Sequence, residues 1–139
     1  MLLLDNSAWA RLSSARLDRD SAETVAKWMS EGQLATCLPF LLEAGYSARS
    51  GAERTAMMSD LARLPSVEID RDIERMALQA QSELAEIGHH RLAPADVIIA
   101  ACADVAQMGV LHYDSDYDLL VKHTSLAFDS EWLAPPGSL

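Results

Sequence analysis

The stretch from Leu92 to Ala103, Leu-Ala-Pro-Ala-Asp-Val-Ile-Ile-Ala-Ala-Cys-Ala, constrains this chain more than any other. Pro94 suits a first helical position, where its missing N–H and fixed φ cost nothing. Val97, Ile98, Ile99, Ala100, Ala101, Cys102 and Ala103 are apolar on every side, so the helix is expected to lie buried between other elements. Asp96 shares a face with Ile99, Ala100 and Ala103 by three-and-four spacing. A buried ionised carboxylate is costly unless something neutralises it. Taken alone, Asp96 could simply complement the positive end of its own helix, worth about 0.3–1 kcal/mol when exposed. Other acids placed to share a cation with it would argue for more.

The chain around that helix alternates between short apolar runs and amphipathic stretches. Leu2, Leu3 and Leu4 read as a buried central strand stopped by Asp5, after which Asn6 or Ser7 can cap a short helix carrying Trp9 and Leu12. Ser21 to Glu31 reads as a helix with Val25, Trp28 and Met29 inward, stopped by Gly32. Leu34 to Leu38 is strand-like, and Pro39 opens a helix bearing Glu43 in its first turns. A helix from Ala52 to Leu64, a short strand at Val67 to Ile69 and a long helix from Asp70 to Ile87 follow. Gly109 is expected to end the organising helix, and Val110 to Tyr113 to form another buried strand. Beyond it stand Asp114, Asp116 and Asp118, then a last helical turn, a short strand at Leu126 to Phe128, and a tail from Glu131. The alternation predicts an α/β fold with a mainly parallel central sheet flanked by helices.

At 139 residues the chain is expected to form one domain over 1–139. Cys37 and Cys102 sit in apolar settings without metal-binding spacing, so two buried thiols in a reducing cytoplasm are expected. The N-terminus lacks the pattern of a signal peptide and no window approaches the ~18 apolar residues of a membrane span, so the protein is expected to be soluble and cytoplasmic, with no membrane partner. The net charge of −10 runs against nucleic-acid binding, which normally draws on Lys and Arg. Either the partner is no polyanion, or bound cations reverse the local sign.

Asp5 and Asp114 each end an apolar strand, while Glu43 and Asp96 each sit near the start of an apolar helix. Right-handed crossovers bring strand ends and the starts of the following helices to one edge of a parallel sheet, so the four can converge there. Two such carboxylates about 4 Å apart repel by roughly 4 kcal/mol at an effective dielectric near 20. Mg²⁺, with Mn²⁺ as a substitute, suits oxygen ligands and relieves that repulsion. Such a site could hydrolyse a phosphodiester.

Four segments resemble the PIN-domain ribonucleases, and more narrowly the VapC toxins of bacterial VapBC toxin–antitoxin systems. They are Leu-Leu-Leu-Asp-Asn-Ser-Ala-Trp at Asp5, Leu-Leu-Glu-Ala-Gly at Glu43, His-Arg-Leu-Ala-Pro-Ala-Asp-Val-Ile-Ile-Ala-Ala at Asp96 and Leu-His-Tyr-Asp-Ser-Asp-Tyr-Asp at Asp114, in the family's order. The resemblance implies a PIN-like three-layer domain that is a Mg²⁺-dependent endoribonuclease. It implies that Asp5 and Asp96 hold the metal most directly, and that Glu43 and Asp114 complete the site. Asp116 and Ser7 match supporting positions. It also implies a homodimer, an RNA substrate and a VapB-type antitoxin laid across the cleft.

Two alternatives stay open on the residues alone: a catalytically inactive PIN-like module for RNA binding or assembly, and a metal-dependent phosphatase. A receiver-like phosphoacceptor would want a Lys at the end of a late strand, and Lys122 follows a helical turn. Among the remaining residues, His112 is expected in the core, and His89 and His90 in a solvated loop. Arg49 and Arg91 are candidates for phosphate contacts, whereas Arg11 and Arg16 read equally as surface charges. Trp9, Trp28 and Trp132 could stack on bases, with Trp28 better placed for packing or a dimer contact. Asp118 reads as a solvated charge opening the last helix.

Overall fold

The computed structural model describes residues 1–139. Five parallel strands form one sheet in the order β3-β2-β1-β4-β5: β1 (Leu2–Leu4), β2 (Leu34–Cys37), β3 (Ser66–Val67), β4 (Gly109–His112) and β5 (Ser130–Trp132). Seven helices flank it: α1 (Asn6–Trp9), α2 (Arg19–Ser30), α3 (Leu38–Tyr46), α4 (Gly51–Leu61), α5 (Arg71–Glu86), α6 (Pro94–Ala106) and α7 (Asp116–His123). From β1 the chain moves outward to β2 and β3, then returns to lay β4 on the other side of β1. The strand order therefore reverses between β1 and β4, and in open parallel sheets that switch point is where a crevice opens beyond the carboxyl ends of the strands. Asp5 follows β1 and Asp114 lies two residues beyond β4.

The apolar runs become the central strands for the reason the sequence suggests: with helices on both sides, neither face meets water. Leu3, Leu4, Leu34, Ala35, Val110 and Leu111 are all buried. Helix α6 packs against α5, β1 and β4, and Val97 and Ile99 to Ala103 are buried within it. Asp18, Ser50 and Asp70 cap α2, α4 and α5 by accepting from the backbone N–H of Ser21, Glu53 and Ile73. No helix is long and apolar enough to cross a membrane.

The structure corrects several boundaries. The cap of α1 is Asp5 itself rather than Asn6 or Ser7. Helix α6 stops at Ala106, and the left-handed residue after it is Gln107, at φ 55°, rather than Gly109. Gly109 serves another purpose: it opens β4 between two close neighbours, and a Cβ there would lie 2.7 Å from Leu2 Cδ2 and 2.9 Å from the Asp129 carbonyl oxygen. The last strand is not Leu126 to Phe128 but Ser130–Trp132, paired with Val110 to His112. Leu126 and Phe128 instead turn their side chains to the core, Phe128 meeting the Tyr117 ring edge-on at 6.4 Å.

Candidate active site

Asp5 reaches the switch point because β1 ends there, and the residue is only 3% exposed. Oδ2 accepts from the Ser7 backbone N–H at 2.8 Å and from the Ser7 hydroxyl, which in turn accepts from the Tyr113 N–H at 2.9 Å. Ser7 thus ties the end of β1 to the end of β4. The other oxygen, Oδ1, accepts from the Tyr117 hydroxyl at 2.7 Å, and that hydroxyl lies 3.4 Å from Asp96 Oδ1. Tyr117 is fully buried, and burial with the nearby Asp5 and Asp96 charges pushes its phenol well above the usual range. It therefore stays a neutral donor wedged between two acids.

Asp96 occupies the first turn of α6, 6% exposed. Its carboxylate meets those of Asp114 and Asp116, one oxygen from each lying within 4.8 Å of the others. Within the loop, Asp114 Oδ1 accepts from the Asp116 N–H at 3.0 Å. Burial, followed by the charges of Asp5, Asp114, Glu43 and Asp116, pushes the Asp96 pKa up to about 7. The gap from its ordinary 3.8 corresponds to roughly 4 kcal/mol, well beyond the roughly 0.3–1 kcal/mol that a helix N-terminus offers an exposed acid. The same causes raise the half-buried Glu43, through burial and Asp5, and Asp116, through burial and Asp114.

The three ion pairs in the protein, Arg19–Glu23, Lys27–Glu31 and Arg75–Asp72, all lie on solvent-facing helix surfaces, and none reaches these acids. A crowded all-oxygen donor set without a protein cation fits a hard divalent ion. The resemblance gives Asp114 a place in the site and Asp116 a supporting one, whereas the structure brings both to Asp96. Asp5 stands behind Tyr117 rather than within that close group of three.

On the other side of Tyr117 lies a polar network that sequence reasoning missed. Asp118 is not merely solvated: Oδ1 accepts from the Ser130 hydroxyl at 2.6 Å and Oδ2 from Trp132 Nε1 at 3.0 Å. His112, fully buried, has Nε2 2.6 Å from Ser130 Oγ, and its Nδ1 accepts from the Asp114 N–H at 3.1 Å. These bonds assign one tautomer, with the proton on Nε2 donated to Ser130. Burial lowers the His112 pKa, keeping the ring neutral. The missed signal was long-range, since Ser130 and Trp132 are at least 12 residues from Asp118.

The remaining candidates scatter. His89 stacks on His123 at 5.7 Å, and His90, Arg16, Arg49 and Arg91 are exposed. Trp9 packs edge-on against Phe40, Trp28 packs on the core, and Trp132 is committed to Asp118 and His112.

Comparison with known proteins places the chain in a family. The PIN domain family matches residues 2–122. Ribonuclease VapC18 of Mycobacterium tuberculosis is 32% identical over 142 residues, covering 98% of this chain and 97% of its own. Ribonuclease VapC51 of the same organism is 33% identical, covering 99% and 96%. Among solved structures, the DNA-bound VapBC of Salmonella typhimurium superposes with a TM-score of 0.72 at 18% identity, covering 96% of this chain and all of that one. VapBC2 of Rickettsia felis, bound to a promoter DNA fragment, also gives 0.72, at 13% identity and coverages of 94% and 98%. By sequence and fold, the chain belongs to the PIN-domain family, within its VapC group.

Proposed function

We propose that this protein is a Mg²⁺-dependent endoribonuclease, the toxin of a toxin–antitoxin pair. The observation that carries the proposal is the meeting of Asp96, Asp114 and Asp116 beside Asp5 and Glu43 at the switch point, with no protein cation among them. The full-length relatives named ribonucleases support RNA as the substrate.

The residues that would hold the ion are Asp96, Asp114 and Asp116, which meet most closely, with Asp5 and Glu43 beside them completing the site and Ser7 supporting Asp5. When bound, Mg²⁺, or Mn²⁺ in its place, supplies a Lewis acid at the phosphoryl oxygen and lowers the pKa of water. The chain's own contribution is arrangement. Ser7 and Tyr117 fix both oxygens of Asp5, and the backbone bonds of Asp114 and Asp116 fix the loop facing Asp96. Hydrolysis places the hydroxyl of water on phosphorus and its proton on the departing 3′ oxygen, leaving a 5′-phosphate and a 3′-hydroxyl.

The partners proposed are a single-stranded or looped RNA, a VapB-type antitoxin and a second copy of the chain, in the cytoplasm. VapBC complexes among the structural neighbours support the antitoxin. The exposed stripe of Leu38, Leu42 and Tyr46 along α3 is consistent with a protein-covered face.

The test is cleavage of a mixed RNA with Mg²⁺ and with EDTA, followed by analysis of the product ends. Metal-dependent cuts leaving 5′-phosphates are expected, and 2′,3′-cyclic phosphates would count against the mechanism. A folded protein that binds no divalent ion and cuts nothing is the inactive module; activity on a phosphomonoester alone makes it a phosphatase.

A further inference from the structure

Arg11 reads from the sequence equally as a surface charge, and the structure holds it firmly. Its Nη1 donates to the Ser7 carbonyl at 2.9 Å, and its guanidinium carbon sits 4.7 Å from the centre of the Tyr113 ring. Both supports belong to the site: the Ser7 hydroxyl bonds Asp5, and Tyr113 directly precedes Asp114. The ring itself is anchored. The Leu139 backbone N–H donates to the Tyr113 hydroxyl at 2.8 Å, and Trp132 meets the ring edge-on at 5.6 Å. Arg11 is thus a cation braced against the ends of both central strands, in a chain with a net charge of −10.

That bracing leaves most of its capacity unspent. A guanidinium carries five donor hydrogens in a fixed plane, and the one bond recorded here goes to the Ser7 carbonyl. None of the three ion pairs involves Arg11. A structural arginine would ordinarily find a carboxylate in so acidic a protein, yet this one lies on an aromatic face instead. Stacking holds the guanidinium flat and preorganised, so little side-chain freedom remains to be lost when it binds an anion.

We propose that Arg11, on its Tyr113 platform, is a substrate-binding residue that takes a non-bridging phosphate oxygen of the RNA strand next to the scissile phosphodiester. The inference rests on the ribonuclease reading for the identity of the strand. A polyanion approaching five acids needs a fixed positive contact beside the bound ion, and Arg11 is braced to the turn that carries Asp5. An aromatic and guanidinium surface next to phosphate-handling groups suits a single strand better than an acidic peptide, because nucleotides offer both a charge and a stacking face.

The experiment measures binding without cleavage, so it is separate from the fate of the nuclease reading. Fluorescently labelled single-stranded RNAs of several sequences are titrated with the wild-type protein and with Arg11→Gln in Ca²⁺, a hard cation for oxygen ligands used in place of Mg²⁺, over a range of salt concentrations, with gels confirming that the RNA stays uncut. Gln keeps an amide donor on a shorter side chain and removes the charge together with the guanidinium on Tyr113; Arg11→Met serves as a second variant should Gln disturb the fold. The expected result is a dissociation constant raised about tenfold for every sequence at low salt, with the log–log salt slope reduced by about 0.7, the value for one phosphate contact on a single strand. In the otherwise wild-type enzyme, Arg11→Gln is expected to raise KM and leave kcat little changed. An unchanged affinity and salt slope with a lowered Tm would overturn the proposal and make Arg11 a brace for the Ser7 turn. Weaker binding with an unchanged slope would overturn it too, since no phosphate contact would have been lost.

Discussion

Two acids two residues apart on α7, Asp116 and Asp118, belong to regions that treat charge in opposite ways. Asp118 is satisfied by neutral donors, the Ser130 hydroxyl and the Trp132 indole, and continues through Ser130 to a neutral His112. Asp116 faces Asp96 and Asp114 and has its pKa raised by burial and by the Asp114 charge. The fold solves its electrostatic problem on one side of Tyr117 and leaves it open on the other. Acids that the fold declines to neutralise mark a ligand's place, whereas a carboxylate with a full set of donors is part of the architecture.

The largest effect expected from this contrast is on activity. Asp96→Asn should reduce RNA cleavage to the level seen in EDTA, whereas Asp118→Asn, which keeps one good acceptor, should leave measurable metal-dependent cleavage. Gel assays of both proteins under identical conditions check this, and equal losses would break the contrast.

Stability should move the other way. The folded pKa of Asp96, about 7, lies above its ordinary 3.8, so between those values the folded state holds a proton that the unfolded state does not. The associated stability is complete below about pH 4, declines as pH rises and is gone above about pH 7. The raised values of Glu43 and Asp116 act in the same direction. His112, lowered by burial, acts oppositely: its contribution is complete above its ordinary 6.5 and is lost as pH falls through the folded value. Comparing wild type with Asp96→Asn cancels the histidine. In EDTA the variant should gain stability relative to wild type from pH 4 to pH 8, by about 2–8 °C in Tm for each kcal/mol of repulsion removed. A constant difference across that range would show that Asp96 is not strained by its neighbours.

A smaller change tests the satisfied side. Ser130→Ala leaves the buried His112 Nε2–H and Asp118 without their shared hydroxyl, which should cost about 1–3 kcal/mol of folding stability. Because His112 also receives the Asp114 N–H, Mg²⁺ affinity should weaken with it, while Ser130→Thr should restore much of both. Denaturant melts and metal titrations on the two variants check the link. Of similar size is Tyr117→Phe, which removes one hydroxyl bonded to Asp5 and should lower metal-free stability by about 1.5–3 kcal/mol, the range for a bond to a charged group. An unchanged melting curve would mean that the phenol does not relieve the acids.

The regions also differ in how far they could be read in advance. Asp5, Glu43, Asp96 and Asp114 stood out because each adjoins an apolar run, and the alternation of runs implied a parallel sheet whose edge collects them. The Asp118 network was invisible because its members are polar, belong to the edge strand β5 and meet through tertiary contacts rather than spacing. Leu126 to Phe128 looked more like a strand than Ser130–Trp132, since local hydrophobicity reports burial, and those residues are drawn to the core without pairing. Gln107 takes the left-handed position that ends α6, while Gly109 opens β4 where a Cβ would run into Leu2 and Asp129. Tyr117 lies in the first turn of α7, and no spacing in the sequence ties it to Asp5, which its hydroxyl meets across the fold.

The most direct measurement is calorimetric titration of Mn²⁺ into wild-type protein, Asp96→Asn and Asp118→Asn, each confirmed to be folded. Wild type and Asp118→Asn should bind the ion, and Asp96→Asn should not. If Asp96→Asn bound as wild type does while Asp118→Asn lost the ion, the unneutralised acids would not be the metal centre and the account of this molecule would fail.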